Sequence, residues 1–566
     1  MQKRWTIRKH DAEAVNKLAA ELQVRPLVAA LLIARGHDSG EKCGAFLNPC
    51  SDHLHEPFLL KGMREAIDRI QRAVDNREKI MIWGDYDVDG TTGTVLLRKM
   101  LALLGADSTF HVPNRFTEGY GINIPALEQA KADGVSLVIS VDCGIRSFEP
   151  LEWARDNGLD VIVTDHHLSD EIRGNPPAVA VVNPNQPGCA YPDKNLAGVG
   201  VAFKLAHALL RENQLEHEVP KFLKIAAIGT VADVMNLTGE NRAIVALGLR
   251  DLKNTDNWGL KALMEAADCR SDMTSYHIGY RIGPRINAAG RMDIASHVIE
   301  LLEAPDFGKA RALASMLDAR NRERQQMQQK ITELALNETV SQADGHFVVV
   351  AGEDWHQGVI GLAASRIAEK LHRPAIVISI KEGMGSGSAR SIPGFHLLDA
   401  LGTCADLFEQ YGGHAAAAGM KIKAENIPDL QRRLNAHAAS TLRESDLIPE
   451  LKVDALLTSQ SLNLALVDEL LAFEPVGAGN PKPIFVTRDL VLRDDPYVMK
   501  DKHLKLKLFD ADGRSFEAVW WDGVERSRGQ TLKPDSRIEI AYVAEANVWN
   551  GSTRLQLVVE DLRADN

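Results

Sequence analysis

The sequence lacks three features that would place the protein in a membrane or outside the cell. No uninterrupted apolar stretch approaches the ~20 residues that a membrane-spanning helix requires, so no membrane role is indicated. The six cysteines include no C-x-x-C pair, which argues against a disulfide framework or a zinc ribbon. The start of the chain has no apolar signal region, so we expect a cytoplasmic protein.

An excess of basic residues is also lacking. The net charge is −12, whereas binding to a nucleic-acid backbone depends on Lys and Arg. The basic residues are nevertheless clustered, because Arg281–Arg291 carries three arginines and no acidic residue, and Lys309–Lys330 carries six basic residues against two acidic ones. Local charge matters more than the sum, so the composition leaves a nucleic-acid partner open.

The length of 566 residues exceeds what one core can organise, and at ~100–200 residues per domain the chain should form three or four units. We expect an N-terminal helical segment at 1–60, an α/β domain at 61–304, a connecting helix at 305–344, a second α/β domain at 345–448 and a β-barrel at 449–566. The predicted fold class is therefore α/β: two α/β domains joined by a long helix, with a C-terminal OB-like barrel of about five strands.

Apolar runs alternate with helical segments between residues 61 and about 235, which predicts a doubly wound, mostly parallel sheet. The predicted strands are Ile80–Trp83, Ser108–Val112, Leu137–Val141, Val161–Thr164 and Ala178–Val182. Ligands collect at the carboxyl edge of such a sheet. Polar residues that follow these strands should therefore lie close together.

The stretch Asp85–Gly90 is the strongest candidate of this kind. It follows the first strand, and its three aspartates, Asp85, Asp87 and Asp89, alternate, so they could converge on one hard cation. The same D-x-D-x-D-G pattern opens an EF-hand loop, but Leu96 stands where that loop needs a Glu. A solvated acidic turn is the remaining alternative.

Three further candidate sites should lie at the same carboxyl edge of the predicted sheet. Asp142 follows the strand Leu137–Val141, and Asp165-His166-His167 follow Val161–Thr164. Asp233 follows the apolar run Ile225–Val231, which we count as a fourth strand end. Such a set could hold two cations ~3.5–4 Å apart, a pair that activates a water and neutralises charge on reacting oxygens. Carboxylates with an imidazole suit Mg²⁺ or Mn²⁺.

These motifs, in this order, resemble motifs I to IV of the DHH phosphoesterase superfamily. Gly412–Gly419 resembles the G-G-H motif of the DHHA1 domain, and Asp354–Gly361 resembles a signature of the RecJ branch. The resemblance implies a DHH domain, a DHHA1 domain and an OB fold. It also implies a single-stranded-DNA-specific 5′-to-3′ exonuclease that releases 5′-mononucleotides in DNA recombination and repair, beside single-strand-binding protein and a helicase.

The family pattern, carried onto this sequence, assigns two Mn²⁺ or Mg²⁺ ions. Asp87 would bind one ion, Asp89 and His166 the other, Asp142 would lie between them, and Asp233 would be a further ligand. The pyrophosphatase branch has a His where Trp83 stands, so Asp85 either replaces that ligand or lies behind the ligands. We expect His167, as a catalytic residue, to orient its neighbours or reach the substrate.

Substrate contacts are expected from arginines and from glycine-rich loops. Arg115, Arg285 and Arg291 could form a pocket for a 5′-phosphate, although a surface loop with scattered arginines is the alternative for the last two. In the second α/β domain, the candidates lie in loops with glycines that we place at helix N-termini: His356, Ser388, Arg390 and His414. A packed loop histidine is the alternative for the last of these.

The barrel sequence interleaves cations with aromatic residues, as a groove for a single strand would. They are Lys500, Lys502, Lys505 and Lys507 with Trp520, Trp521 and Trp549. Two other functions compete with the exonuclease. A DHH hydrolase of small substrates would lack the barrel, and an inactive DNA-binding replication factor would have lost its ligands, all of which are present here.

Overall fold

The computed structural model describes residues 3–115, 117–269, 272–292, 295–339, 345–530 and 532–564. The chain divides into two compact units. The larger unit contains Ala12–Asn321 and Glu469–Lys482. The smaller unit contains Met1–Asp11, Arg322–Asp468 and Pro483–Asn566. No helix within the described ranges combines the length and the apolar character that crossing a membrane requires.

A five-stranded parallel sheet forms the centre of the larger unit. Its strands, in spatial order, are Ser108–His111, Lys79–Gly84, Val135–Val141, Asp160–Thr164 and Ala180–Val182. The five predicted strands are confirmed, with ends that shift by no more than two residues. Chain order reverses beside Lys79–Gly84, whose two neighbours are the strands that follow it in sequence. This is the switch point at which doubly wound sheets bind ligands.

Both faces of this sheet are buried, which explains its nearly continuous apolar strands. Ile80, Ile82 and Ile139 belong to one core, and Trp83 and Val138 belong to a second core on the opposite face. The helices of the larger unit are Ala12–Leu22, Pro26–Ala34, Gly40–Leu47, Met63–Asp75, Val88–Leu103, Ile124–Ala132, Phe148–Asp156, Gly198–Glu212, Leu223–Ala232, Gly239–Leu252, Trp258–Ala266, Ser275–His277, Gly283–Arg291 and Ser296–Leu302. Ile278–Ile282 is a short π-helix.

The prediction of a helical segment at the N-terminus is wrong at its start. Arg4–Ile7 is a β-strand that pairs in parallel with Glu450–Val453 in the smaller unit. Only from Ala12 is the segment helical. A four-residue strand whose partner lies more than 400 residues away carries no local periodicity, so the sequence could not reveal it.

The predicted long helix is present as Phe307–Thr339. Its predicted end at 340–344 lies outside the described residues. The smaller unit contains a five-stranded sheet in the order Phe408–Gly413, Ala417–Lys423, Met384–Arg390, Ala375–Lys381 and Val348–Glu353. The last two strands are parallel and the others are antiparallel. Its helices are Gln357–Leu371, Leu397–Gly402 and Ile427–Thr441.

Two predicted loops of this sheet need correction. The glycine- and serine-rich stretch 383–391 is largely the strand Met384–Arg390, because small residues also fit between two neighbouring strands. Gly412 and Gly413 end a strand and do not begin a helix. The amide of His414 donates to the carbonyl of Ala417 (N–O 2.8 Å), which closes a hairpin.

The C-terminal barrel is confirmed. Five strands close a ring in the order Phe485–Leu492, Ser536–Trp549, Ser552–Ala564, Ser515–Trp520 and His503–Phe509, and the last pairs again with the first. The short strands Ala455–Leu456 and Tyr497–Met499 extend the sheet at its two ends, and Leu464–Leu470 and Gly523–Arg526 are short helices. Closure of the ring pairs its five main strands on both sides, which is how small β-barrels limit aggregation.

Candidate metal centre

The strands that precede Asp85, Asp142 and Asp165 are paired up to their last residues, so these three side chains leave the sheet at one edge. All three are buried. The edge lies at the switch point of the sheet, where adjacent loops separate and leave a crevice. The predicted convergence of strand ends is therefore confirmed for these positions.

The aspartates of the motif Asp85–Gly90 belong to two groups of donor atoms and not to one. Asp87 is the N-cap of the helix Val88–Leu103, and its Oδ1 accepts from the amide of Gly90 (3.0 Å). Asp89 lies in the first turn of that helix, and its carboxylate groups with His166 and Asp233 and not with Asp85. The expectation that all three aspartates converge on one cation is wrong, because the helix begins inside the motif and ends the alternation.

The carboxylate of Asp89 is held by another helix. The amide of Gly198 donates to its Oδ2 and the amide of Val199 donates to its Oδ1, and both N–O distances are 2.7 Å. These amides lie at the N-terminus of the helix Gly198–Glu212. Helix N-termini stabilise negative charge. A glycine is required at 198, because a Cβ there would lie 2.6 Å from the Cβ of Asp142.

Asp142 lies between the other acidic groups in a strained conformation. Its φ is +61°, a region that residues with a Cβ rarely adopt. The Nε2 of His166 lies 3.1 Å from its Oδ1. The hydroxyl of Tyr120 donates to its backbone carbonyl (3.0 Å), which fixes the strained turn.

Asp165 organises the histidine pair, a role that the sequence analysis missed although the residue lies in the quoted motif. Its Oδ1 accepts from the amides of His166 (2.7 Å) and His167 (3.0 Å) and lies 2.8 Å from the Nδ1 of His167. Its Oδ2 accepts from the amide of Ile145 (3.0 Å). These bonds turn the Nε2 of His166 toward the other acids.

Asp233 reaches the centre from a helix, so the prediction of a strand before it is wrong. Leu223–Ala232 is helical and Asp233 is its C-cap. A buried helix and a buried strand have the same continuous apolar character, which is why the sequence did not separate them. Gly229 lets this helix approach closely, since a Cβ there would lie 2.6 Å from the Oγ1 of Thr92. The Oδ2 of Asp233 lies 3.6 Å from the Nε2 of His166.

The donor atoms form overlapping groups, in each of which one atom per residue lies within 4.8 Å of the others. The groups are Asp85, Asp87 and Asp142; Asp89, His166 and Asp233; and Asp142, His166 and His167. The Oδ1 atoms of Asp85 and Asp142 are buried and have no hydrogen-bond partner among the described residues. A carboxylate oxygen in that state is costly. Cations would satisfy both, and oxygen donors with an imidazole suit Mn²⁺ and Mg²⁺.

Burial and mutual repulsion raise the pKa of the carboxyl groups. Burial, with the charge of Asp87 second, raises the pKa of Asp85 to about 8 and that of Asp233 to about 7. The pKa of Asp89 and of Asp142 is raised well above the usual range by burial and then by neighbouring aspartates. Such concentrated negative charge is the electrostatic counterpart of a cation site.

The two histidines are shifted in opposite directions. Burial, and then the charge of His167, lowers the pKa of His166 to about 4, so its imidazole is neutral near pH 7 and offers a lone pair. Burial is the largest single influence on the pKa of His167 and lowers it, but the hydrogen bond to Asp165 together with the charges of the neighbouring aspartates raises this pKa overall. The first histidine is suited to bind a cation and the second to carry a proton.

A cavity of about 350 Å³ opens over the centre. The non-acidic residues that line it are Tyr86, Arg115, Tyr120, His167, Ala232, Val234, Asn287, Gly290 and Arg291. Arg115 and Arg291 are therefore placed where the sequence predicted a phosphate pocket. The guanidinium of Arg115 lies over the ring of Tyr86, 5.1 Å from its centroid. Tyr86, Tyr120 and Asn287 carried no sequence signal of a role.

The structure does not bring Arg285 to this cavity. Its Nε and Nη2 lie 3.0 and 2.9 Å from the Oδ1 of Asp318, and its Nη1 donates to the carbonyl of Arg281 (2.6 Å). The side chain is mostly buried. Arg285 thus holds helices together, and its placement in a phosphate pocket is a correction to the sequence analysis.

In the smaller unit, three of the four candidates lie around one helix. His356 caps the helix Gln357–Leu371, with its Nδ1 accepting from the amide of Gly358 (3.1 Å). Gly361 of that helix lies against Ser388 and Arg390, and the Nη1 of the arginine donates to the serine hydroxyl (3.1 Å). His414 is exposed in the hairpin turn beyond the neighbouring strand.

Comparisons with known proteins agree with this arrangement. Family models match residues 79–230 (DHH family, N-terminal domain), 344–440 (DHHA1 domain) and 453–561 (RecJ OB domain). The chain is 41% identical over 564 residues to a Bacillus subtilis protein named single-stranded-DNA-specific exonuclease RecJ, covering 99% of this chain and 70% of that protein. It is 32% identical to the Escherichia coli protein of the same name, over 99% of this chain and all of the other.

A solved structure covers the whole chain. The crystal structure of RecJ from Thermus thermophilus in complex with Mn²⁺ superposes with a TM-score of 0.84 at 31% identity, over 100% of this chain and 80% of that one. A second structure of the same protein, in complex with Mg²⁺, gives a TM-score of 0.79. The conclusion is the same from the sequence motifs, the three domain matches and the full-length similarity. The chain belongs to the RecJ family of DHH phosphoesterases.

Proposed function

We propose that this protein is a metal-dependent exodeoxyribonuclease that degrades single-stranded DNA from its 5′ end and releases 5′-mononucleotides. The observation that carries the proposal is a pair of adjacent donor groups, one of Asp85, Asp87 and Asp142 and the other of Asp89, His166 and Asp233. The Nε2 of His166 lies 3.1 Å from the Oδ1 of Asp142 and so links the two groups. The relatives' name, single-stranded-DNA-specific exonuclease, supports the substrate. The match to an OB domain argues against a hydrolase of small substrates.

The candidate ligands can be divided between two Mn²⁺ or Mg²⁺ ions. Asp85, Asp87 and Asp142 would hold one, and Asp89, His166 and Asp233 the other, with Asp142 adjacent to both. Two such ions, when bound, lower the pKa of water and neutralise charge on the attacking and leaving oxygens. Asp165 would keep the imidazoles oriented, and His167, held by it, would donate a proton or a hydrogen bond at the cavity wall.

The selection of a 5′-phosphate would come from the cavity arginines. A terminal phosphate carries more charge than an internal diester, so guanidinium groups beyond the acids favour an end. Arg115 and Arg291 line the cavity and are our candidates; Arg285 is not. Contacts of DNA with His356, Ser388, Arg390 and His414 remain predictions from sequence, as do single-strand-binding protein and a helicase as partners in recombination and repair.

The barrel would hold the rest of the strand. Trp521 is 51% exposed and packs edge-on against His503 (ring centroids 4.8 Å), so a base could reach its ring. Trp520 is fully buried and belongs to the core. The Nζ of Lys505 lies 3.2 Å from Glu517, and the Nζ of Lys507 lies over the ring of Phe509. Trp549 lies where the structure does not describe the side chain.

End-labelled oligonucleotides test the proposal. We expect the wild-type protein, with Mn²⁺ and not with EDTA, to release mononucleotides from the 5′ end of a single strand. A 5′-phosphate should be preferred over a 5′-hydroxyl, a blocked 5′ end should resist, and pyrophosphate should not be hydrolysed. Release from the 3′ end, or indifference to a blocked 5′ end, would overturn the polarity and the arginine pocket together.

A further inference from the structure

Two exposed tyrosines stack on each other beside the candidate metal centre. The rings of Tyr276 and Tyr280 lie 4.9 Å apart with an angle of 26° between their planes. Tyr276 is 49% exposed and Tyr280 is 74% exposed. Neither ring is therefore a core residue, and the pair presents a flat aromatic surface to solvent.

The segment that carries the pair is held firmly. On its other face, Ile278, Ile282 and Ile286 are buried. The Nη1 of Arg281 donates to the carbonyl of Asp268 (2.8 Å), and Arg285 forms the ion pair described above. A side chain presented by such a segment loses little further freedom when it binds a ligand, which favours affinity.

The same segment leads into the cavity. Gly283 faces the cavity residue Ala232, because a Cβ at Gly283 would lie 3.4 Å from the Cβ of that alanine. Two turns after Tyr280, Asn287 lines the cavity itself. At ~1.5 Å per helical residue, seven residues place the backbone of Tyr280 roughly 10 Å along the helix from that of Asn287. Tyr280 itself lies in the π-helix Ile278–Ile282, and π-turns often occur at functional sites.

We propose that Tyr276 and Tyr280 form a stacking platform for bases of the single strand whose end occupies the cavity. The inference rests on the proposed exonuclease and adds a base-binding subsite to it. An aromatic face accepts any base, so the platform would bind without sequence preference. Bases in a duplex already stack on both sides, so the platform also favours a single strand.

The test combines substitutions with abasic DNA. The double variant Tyr276→Ala/Tyr280→Ala removes the platform, and Tyr276→Phe/Tyr280→Phe keeps the rings as a matched control. KM is measured with Mn²⁺ on single strands that carry one abasic site at successive positions from the 5′ end. Loss of stacking with one base should raise KM ~10-fold in the alanine variant. The phenylalanine variant should behave like the wild type.

The abasic series locates the subsite. At one position near the end, a missing base should raise KM for the wild type by a similar factor and have no further effect on the alanine variant. Equal abasic effects in both proteins at every position, or an unchanged KM in the alanine variant, would overturn the proposal and favour a protein-docking surface. Failure of the proposed function is distinct, because the wild type itself would then not degrade the strand.

Discussion

The Nε2 atom of His166 lies 3.1 Å from the Oδ1 atom of Asp142, an oxygen without a hydrogen-bond partner among the described residues. Burial lowers the pKa of the histidine to about 4 and raises that of the aspartate. A neutral imidazole thus faces a carboxyl group whose ionisation is disfavoured in a site crowded with acids. A cation relieves this arrangement better than a proton, since it can satisfy several oxygens at once.

Replacement of Asp142 should abolish hydrolysis. Asp142→Asn keeps the shape of the side chain but removes the charge between the two donor groups. We expect turnover of single strands to fall by a factor of ~10³ or more, equivalent to about 4 kcal/mol on the barrier. Binding of a single strand should persist, because no barrel residue changes.

Asp156→Asn, at an exposed position in the same unit, is the control for charge removal. It should leave turnover unchanged. Substantial activity of Asp142→Asn with Mn²⁺ would contradict the ligand assignment.

The stability of the metal-free protein should decrease as pH rises. The folded-state pKa values of Asp85 and Asp233 are about 8 and about 7, above the ~3.9 of an unfolded Asp. Between about pH 4 and about pH 8 the folded state therefore binds more protons than the unfolded state, so its free energy of unfolding falls with pH. The lowered pKa of Asp165 has the opposite effect below this window. The pKa of His166, lowered to about 4 from the ~6.5 of an unfolded His, has the opposite effect in the lower part of the window, where it offsets one of the raised carboxyl groups.

Thermal scans across that window, with EDTA or with Mn²⁺, check this. The gain in Tm from Mn²⁺ should grow with pH, because protons compete with the ion for the same oxygens. Asp85→Asn should flatten the pH dependence in EDTA. A gain that is constant across the window would contradict the account.

Substitutions of Arg115 and of Arg285 should change different properties of the protein. Arg115→Ala should reduce the preference for a 5′-phosphate over a 5′-hydroxyl, because its guanidinium lines the cavity. Arg285→Ala removes the ion pair to the buried Asp318 and should lower Tm while the phosphate preference stays. Competition between labelled strands with a 5′-phosphate and with a 5′-hydroxyl measures the phosphate preference, and thermal scans measure Tm. The reverse pattern would restore the sequence-based assignment of Arg285.

These two arginines also show where sequence reasoning reaches its limit. Residues that follow a strand, such as Asp142 directly and Arg115 four residues on, could be placed because strand ends share an edge. Arg285 and Asp233 lie in helices or at their ends, where one residue turns a side chain by 100°. Their directions depend on packing partners distant in sequence, so a motif alone could not distinguish a ligand-facing group from a structural one.

The adjacent tryptophans of the barrel should separate binding from stability. Trp521→Ala should weaken single-strand binding ~5-fold or more, since base stacking contributes ~1–3 kcal/mol, with little change in Tm. Trp520→Ala empties a fully buried site and should destabilise the barrel by about 3–5 kcal/mol. Fluorescence anisotropy and thermal scans distinguish them. Equal binding by Trp521→Ala and wild type would show that this face does not hold DNA.

The segment Glu469–Lys482 belongs to the larger unit although barrel strands flank it in sequence. Arg242, nearly fully buried, donates to the carbonyls of Phe46 (2.7 Å), Glu474 (2.8 Å) and Pro475 (3.0 Å). Removal of the barrel by truncation would therefore also damage the larger unit, so point substitutions are the better test. The sequence does not reveal that this segment packs in the larger unit, because the residues it contacts are distant in the chain.

Arg242→Met should remove one donor from each of these carbonyls, of which that of Pro475 keeps the Nδ2 of Asn480, and destabilise the protein by about 3 kcal/mol or more. Arg250→Met, exposed on the same helix, is the matched control and should have little effect. A differential thermal scan compares them. Equal Tm values for the two variants would mean that the segment does not depend on Arg242.

The central claim is that the acids form two adjacent cation sites, one that contains Asp142 and one that contacts Asp142 through His166. An anomalous difference map at the manganese edge, from crystals soaked in Mn²⁺, tests it most directly. The account predicts two peaks, one against Asp85, Asp87 and Asp142 and one against Asp89, His166 and Asp233. A single peak, or peaks away from Asp142, would contradict it.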